Sequence, residues 1–148
     1  MLCSSNLSCK CIFTSLLFCS SCCSPALALT EKELNDVLGA IRIVESGNDP
    51  SAVGDDGNAI GVYQIWEPYW KDSRLPGSYR DCFDPHYADR VVRAYMKRYC
   101  TEKRLGRKPT WEDIARMHNG GPRAVWATGK KKENLDRYVA KVKAQLEK

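Results

Sequence analysis

Six of the eight cysteines in this 148-residue chain stand within its first 23 residues, and only Cys82 and Cys100 follow. The body of the chain therefore cannot be a disulfide scaffold, and packed secondary structure has to hold it together. The first thirty residues carry no acidic side chain and one cation, Lys10, ahead of the apolar run Cys11–Cys19 and the sequence Ser24-Pro25-Ala26-Leu27-Ala28. A charged start, a short apolar stretch and an A-x-A site read as a secretory signal peptide over residues 1–28, cleaved after Ala28. The run is too short to span a bilayer as a helix, so no stable membrane anchor is expected. This organisation predicts a mature domain over residues 29–148, secreted, or periplasmic if the source is bacterial.

The mature part reads as amphipathic helices joined by turns. Thr30-Glu31-Lys32-Glu33 is a capping box, followed by Leu34, Val37, Leu38, Ile41 and Val44 at helical spacing. Gly47 and Pro50 end that helix. Gly54-Asp55-Asp56-Gly57-Asn58 offers a turn that predicts at most a small hairpin. Ala88, Val91, Val92, Tyr95, Met96 and Tyr99 mark a long helix over roughly 86–104, Thr110 caps a third that stops at Gly120-Gly121-Pro122, and a last one runs from about Lys132 with Leu135, Tyr138, Val139, Val142 and Leu146 on one stripe. The fold class expected is mainly α, a helical domain with a small irregular lobe. A helix over residues 86–99 is about 21 Å long, so Cys82 and Cys100 are predicted not to reach each other. Cys100 is expected to pack as a small hydrophobe.

Charge is polarised along the chain. Residues 29–89 hold 5 Lys and Arg against 12 Asp and Glu, a net of −7, and residues 90–148 hold 17 against 6, a net of +11. A basic half suits an anionic wall polymer, or is simply a set of solvated helix faces. Nucleic acid is not an expected partner, because a secreted product would not meet it. Two separated histidines and no mature C-x-x-C supply no metal site, Gly120-Gly121-Pro122 lacks the Lys-Ser/Thr of a phosphate loop, and no cofactor is expected.

The residues that carry chemistry are carboxylates. Glu45 closes the apolar stripe of the first helix, and Asp55 and Asp56 sit in an exposed, Gly-flanked turn. Apolar surroundings favour the neutral, proton-donating form of a carboxyl group. Two carboxyls in divergent settings are what glycosidic cleavage uses, one to protonate the leaving oxygen and one to stabilise or attack the oxocarbenium-like centre. A helix-end ion pair and an ordinary Asx turn are the alternative reading. Trp66, Tyr69 and Trp70 can stack on sugar rings, although at least one of the three is expected to be core.

Glu45-Ser46-Gly47-Asn48-Asp49-Pro50-Ser51-Ala52-Val53 followed by Ala59-Ile60-Gly61-Val62-Tyr63-Gln64-Ile65 resembles the glutamate and G-x-x-Q-I blocks of soluble lytic transglycosylases and goose-type lysozymes. The latter block with Glu67-Pro68-Tyr69-Trp70, then Tyr95-Met96-Lys97-Arg98-Tyr99 and His118-Asn119-Gly120-Gly121-Pro122, looks still more like the invertebrate-type lysozymes, the destabilase family. These ordered blocks cover about residues 40–125 and leave residues 125–148 outside the resemblance. The resemblance implies a lysozyme-like α+β fold and a muramidase acting on bacterial peptidoglycan, with Glu45 as general acid and Asp55 as second carboxylate, Asp56 being the fallback. It places Tyr63, Gln64 and Asn119 on the sugar cleft. His118, next to Asn119, either lines that cleft or packs as a capping imidazole. A lytic transglycosylase giving 1,6-anhydro ends is the nearest alternative, and a non-catalytic wall-binding module the next. The loss of nearly all the cysteines that staple invertebrate-type lysozymes is the chief departure from the family pattern.

Overall fold

The computed structural model describes residues 29–148. The leader read over residues 1–28 lies outside the described residues. Helix α1 (Glu31–Ser46) starts where the capping box predicts: the Glu33 amide donates to Thr30 Oγ1 and the Thr30 amide to Glu33 Oε2. It ends at Gly47, whose left-handed backbone (φ 66°) lets the amide reach back to the last carbonyls. The chain then forms β1 (Val53–Gly54), a 3-10 turn (Asp55–Gly57), β2 (Ala59–Ile60) and β3 (Ile65–Trp66). These three short strands make an antiparallel sheet in sequence order, with Val53 opposite Ile60 and Ala59 opposite Trp66. The expected hairpin thus gains a third strand from the aromatic segment.

Helix α2 (Glu67–Ser73), which the aromatic density hid from the sequence reading, follows with Pro68 in its first turn. A 3-10 segment (Tyr79–Phe83) leads into α3 (Pro85–Tyr99), α4 (Glu102–Leu105), α5 (Trp111–Gly120), a 3-10 turn (Ala124–Trp126) and α6 (Gly129–Leu146). The helix expected over 86–104 is two helices. Cys100 leaves helical geometry (φ −94°, ψ 66°), and the Thr101 hydroxyl caps a new start by accepting from the Arg104 amide at 3.3 Å. Helix α6 begins three residues before Lys132.

The core is helical. Leu34, Val37, Leu38 and Ile41 of α1, Val91, Val92 and Met96 of α3, Ile114 and Met117 of α5, and Leu135 and Val142 of α6 are all buried. Each such side chain contributes about 1.5–3 kcal/mol by leaving water. Helix α6 packs across both α1 and α5. Cys82 and Cys100 are free thiols, fully buried, as expected. Burial pushes each thiol up to about 12, so neither is a thiolate near neutral pH.

Gly61 opens the tight turn between β2 and β3. Its φ is +71°, and a Cβ there would stand 2.2 Å from the backbone oxygen of Cys82. Any side chain would meet both backbone strain and a rigid carbonyl. Gly61→Ala is accordingly expected to cost about 2–5 kcal/mol of unfolding free energy, to be read from urea denaturation midpoints. A loss under 1 kcal/mol would mean the turn yields easily.

Candidate active site

Glu45 sits in the last turn of α1, with the side chain 17% exposed. The next residue fixes where that turn points. The Ser46 hydroxyl donates to the Val62 carbonyl at 3.0 Å and accepts from the Asp49 amide at 3.1 Å, tying the helix end to the Gly61–Gln64 turn. Gln64 secures the same turn from its other end. Its backbone is left-handed (φ 48°), its amide donates to the Gly61 carbonyl at 3.0 Å, and its side-chain Nε2 donates to the carbonyls of Gly61 (3.0 Å) and Ala52 (3.3 Å). The Glu-Ser-Gly and G-x-x-Q blocks are therefore two halves of one joint.

His118 of α5 completes it. Nε2 lies 3.0 Å from the Tyr63 carbonyl, and Nδ1 lies 3.4 Å from the Tyr69 hydroxyl. A carbonyl only accepts, which assigns the hydrogen to Nε2 and makes Nδ1 the acceptor for Tyr69. Burial pushes the imidazole below its ordinary value, against the pull of Glu45. Glu45 Oε1 is 3.6 Å from Nε2, so near neutral pH this is a contact with a neutral ring rather than an ion pair.

On its other side Glu45 Oε1 accepts a 2.6 Å hydrogen bond from the Tyr138 hydroxyl of α6. Burial, then the neighbouring carboxyl, pushes that phenol far above its ordinary range, so it remains a donor. The sequence reading placed Tyr138 only on an apolar stripe. The signal available was chemical: a phenol on a buried stripe brings a hydroxyl that must find a partner.

Asp55 lines the same cleft as Glu45. Glu45, Asp55, Gln64, Trp66, His118 and Asn119 line one polar cleft of about 230 Å³. Asp56 is exposed and is not among the residues lining it. Asp55 and Asp56 both adopt left-handed backbone (φ 47° and 53°), a costly conformation in non-glycine residues. The Asp55 carbonyl is held by the Asn58 amide and side chain, and its Oδ2 accepts from the Trp66 indole at 3.2 Å. Trp66, 45% exposed, thus holds the carboxylate and presents an aromatic surface. The cleft continues past Gln64, Trp66, His118 and Asn119 into a second depression of about 290 Å³, bounded by Asp72, Tyr95 and Pro122.

Tyr63 is where the structure departs from expectation. Its ring is fully buried and its hydroxyl donates to Asp89 Oδ1 at 2.7 Å, so it does not line the cleft. Between Tyr63 and Gln64 the side chains part, one toward α3 and one toward the cleft, and what Tyr63 gives the site is its carbonyl. Of the aromatic trio, Tyr69 and Trp70 pack against the core, Tyr69 stacked on Tyr95 with ring centroids 3.7 Å apart, which leaves Trp66 free to meet a sugar. His86 and Lys130–Lys132 are exposed. Among the described residues no cluster of His, Cys, Asp and Glu is arranged to hold a metal ion, and no helix is long and apolar enough to cross a membrane.

A sequence model of the Destabilase family matches residues 35–143, well past the point at which the motif blocks stop. A lysozyme of Magallana gigas is 42% identical over 90 residues, 58% of this chain and 64% of that protein. Lysozyme 1 of Crassostrea virginica is 38% identical over 112 residues, 73% and 57% of the two chains. Invertebrate-type lysozyme 6 of Caenorhabditis elegans is 33% identical over 72% and 86%. The matched part of the chain spans less than two thirds of the two oyster proteins. A chain in the crystal structure of Aeromonas hydrophila PliI in complex with Meretrix lusoria lysozyme superposes with a TM-score of 0.58 at 34% identity, over 70% of this chain and 85% of that one.

The buried imidazole makes stability depend on pH. The folded state resists protonating His118, whereas the unfolded chain takes the proton below about 6.5. Unfolding free energy is therefore highest above that pH and falls as the solution is acidified, by up to about 1.4 kcal/mol per pH unit, until the folded ring also titrates. His118→Gln should flatten this dependence below about pH 6.5, measured by urea denaturation. An unchanged slope would show that His118 does not resist protonation.

Proposed function

The chain belongs to the destabilase family, and we propose that it is a lysozyme, a glycoside hydrolase cutting the β-1,4 bond between N-acetylmuramic acid and N-acetylglucosamine in bacterial peptidoglycan. The observation that carries the reading is the pairing of Glu45 and Asp55, from different elements, on one polar cleft beside an exposed tryptophan. Glu45, on the rigid helix end, protonates the glycosidic oxygen. Asp55, anchored by Trp66 at the cleft edge, stabilises the oxocarbenium-like centre or bonds to it, and water completes hydrolysis. Tyr138 fixes the rotamer of Glu45 and hydrogen-bonds the carboxylate left once the proton has gone. Asn119 supplies its amide to hydroxyls and acetamido groups of the sugars, while Gln64, whose Nε2 is engaged by the Gly61 and Ala52 carbonyls, shapes the cleft wall. The reading includes action outside the cytosol after removal of residues 1–28.

Mass spectrometry of muropeptides released from purified peptidoglycan tests this. Wild type should give ordinary hydrated reducing ends. Glu45→Gln should lose about 10³-fold in rate and Asp55→Asn about 10²-fold, while Asp56→Asn stays within a few-fold. Fragments one water lighter, with Asp55→Asn active, would instead mark a transglycosylase, and no fragments at all would leave a binding module. Tyr138→Phe, which keeps the ring and removes the hydroxyl, should lower kcat about tenfold with KM little changed. An unchanged kcat would separate Tyr138 from the reaction.

A further inference from the structure

A surface ladder borders the far end of the cleft. Arg98 lies over the Tyr99 ring at 5.1 Å from its centroid, and Arg104 lies over the same ring at 5.1 Å and over Trp126 at 5.5 Å. Trp126 is 51% exposed and both arginines are exposed. The ladder is tied to the cleft at two points. Arg98 Nη1 donates to the Asp72 carbonyl at 3.0 Å and Arg104 Nη2 to the Pro122 carbonyl at 2.9 Å, and both acceptor residues line the depression that continues from Glu45. Among the described residues neither guanidinium forms an ion pair with a carboxylate. Two cations stacked on aromatic faces, with N–H groups left over, outnumber the Asp72 carboxylate beside the shared Tyr99 ring and form a preorganised carboxylate receptor.

We propose that this ladder binds the carboxylate-bearing peptide stems of the glycan strand lying in the cleft, so that the protein prefers peptide-substituted wall over naked glycan. The inference rests on the wall-cleaving reading. A strand running through the cleft leaves its sugars between Trp66 and Asn119 and carries its peptide substituents outward, past Pro122 and onto the rim. Sugar hydroxyls and acetamido groups bear no charge, and the lactyl carboxyl of N-acetylmuramic acid is taken up in the amide to the stem, whereas stem peptides carry carboxylates at their far end. The exposed indole of Trp126 offers the apolar side chains of the same peptide a surface to lie on.

The test uses peptidoglycan freed of accessory polymers, either with its stems or stripped of them by an amidase, which leaves a carboxylate only on the lactyl group beside each ring and none out on the rim, and reads both cosedimentation of the Glu45→Gln chain and cleavage by the Glu45 chain. Arg104→Gln, which gives up the Pro122 hydrogen bond and two ring contacts and is therefore assayed well below its own melting temperature, should weaken binding and lower kcat/KM on stem-bearing wall about five- to tenfold. On stripped glycan it should stay within twofold. Lys131→Gln makes the same charge change away from the ladder and should alter neither. Equal losses on both substrates, or equal effects of Arg104→Gln and Lys131→Gln, would reduce the ladder to general surface charge and overturn the proposal, as would no effect of Arg104→Gln on either substrate. Absence of cleavage by wild type would defeat the lysozyme reading alone, because cosedimentation would still report on the ladder.

Discussion

Three backbone carbonyls in a four-residue turn decide the geometry of this molecule. Those of Gly61, Val62 and Tyr63 accept, respectively, from Gln64, from Ser46 at the end of α1 and from His118 in α5. Left unpaired in a buried turn, each would cost about 1–3 kcal/mol. Satisfying them forces the helix carrying Glu45, the lobe carrying Asp55 and the helix carrying His118 to converge at one point. Packing alone would bring the helices near one another, since apolar contact is not directional. The hydrogen bonds set the angle and register at which they meet.

The two carboxyls at that point are supported in opposite ways. Glu45 is clasped by a buried phenol from α6 and lies against a neutral imidazole from α5, so three helices contribute to one oxygen's surroundings. Asp55 rides on a solvent-facing loop, held by an indole and by strained backbone. The fold delivers that contrast because one residue belongs to a helix end and the other to a turn.

Much of this was legible in the residues. Capping boxes and apolar stripes located α1, α3, α5 and α6, because local hydrogen bonds and periodicity are written within a few positions of one another. The break at Cys100 was not seen, since Val91-to-Tyr99 spacing runs smoothly into it and only the Thr101 hydroxyl announces a new start. Glu45 and the pair Asp55 and Asp56 stood out by residue type and by their place at a helix end and a turn, and the family resemblance alone favoured Asp55. Their partners did not: Tyr138 is 93 positions from Glu45 and Trp66 is 11 from Asp55, and such pairings exist only after folding. Tyr63 misled for the same reason. Its neighbourhood in sequence belongs to the cleft, while its side chain belongs to the core, where Asp89 waits for its hydroxyl.

The two free thiols carry a consequence of another kind. Cys82 and Cys100 are buried and protonated, and they do not bond to each other. Among the described residues, then, cohesion owes nothing to oxidation. A disulfide-stapled domain of this size gains stability only where thiols can be oxidised, and loses it to any reductant that reaches its bridges. Among these residues a reductant finds no bridge to break, and the packing of α1, α3, α5 and α6 carries the load that a cross-link would share in a stapled domain of the same size.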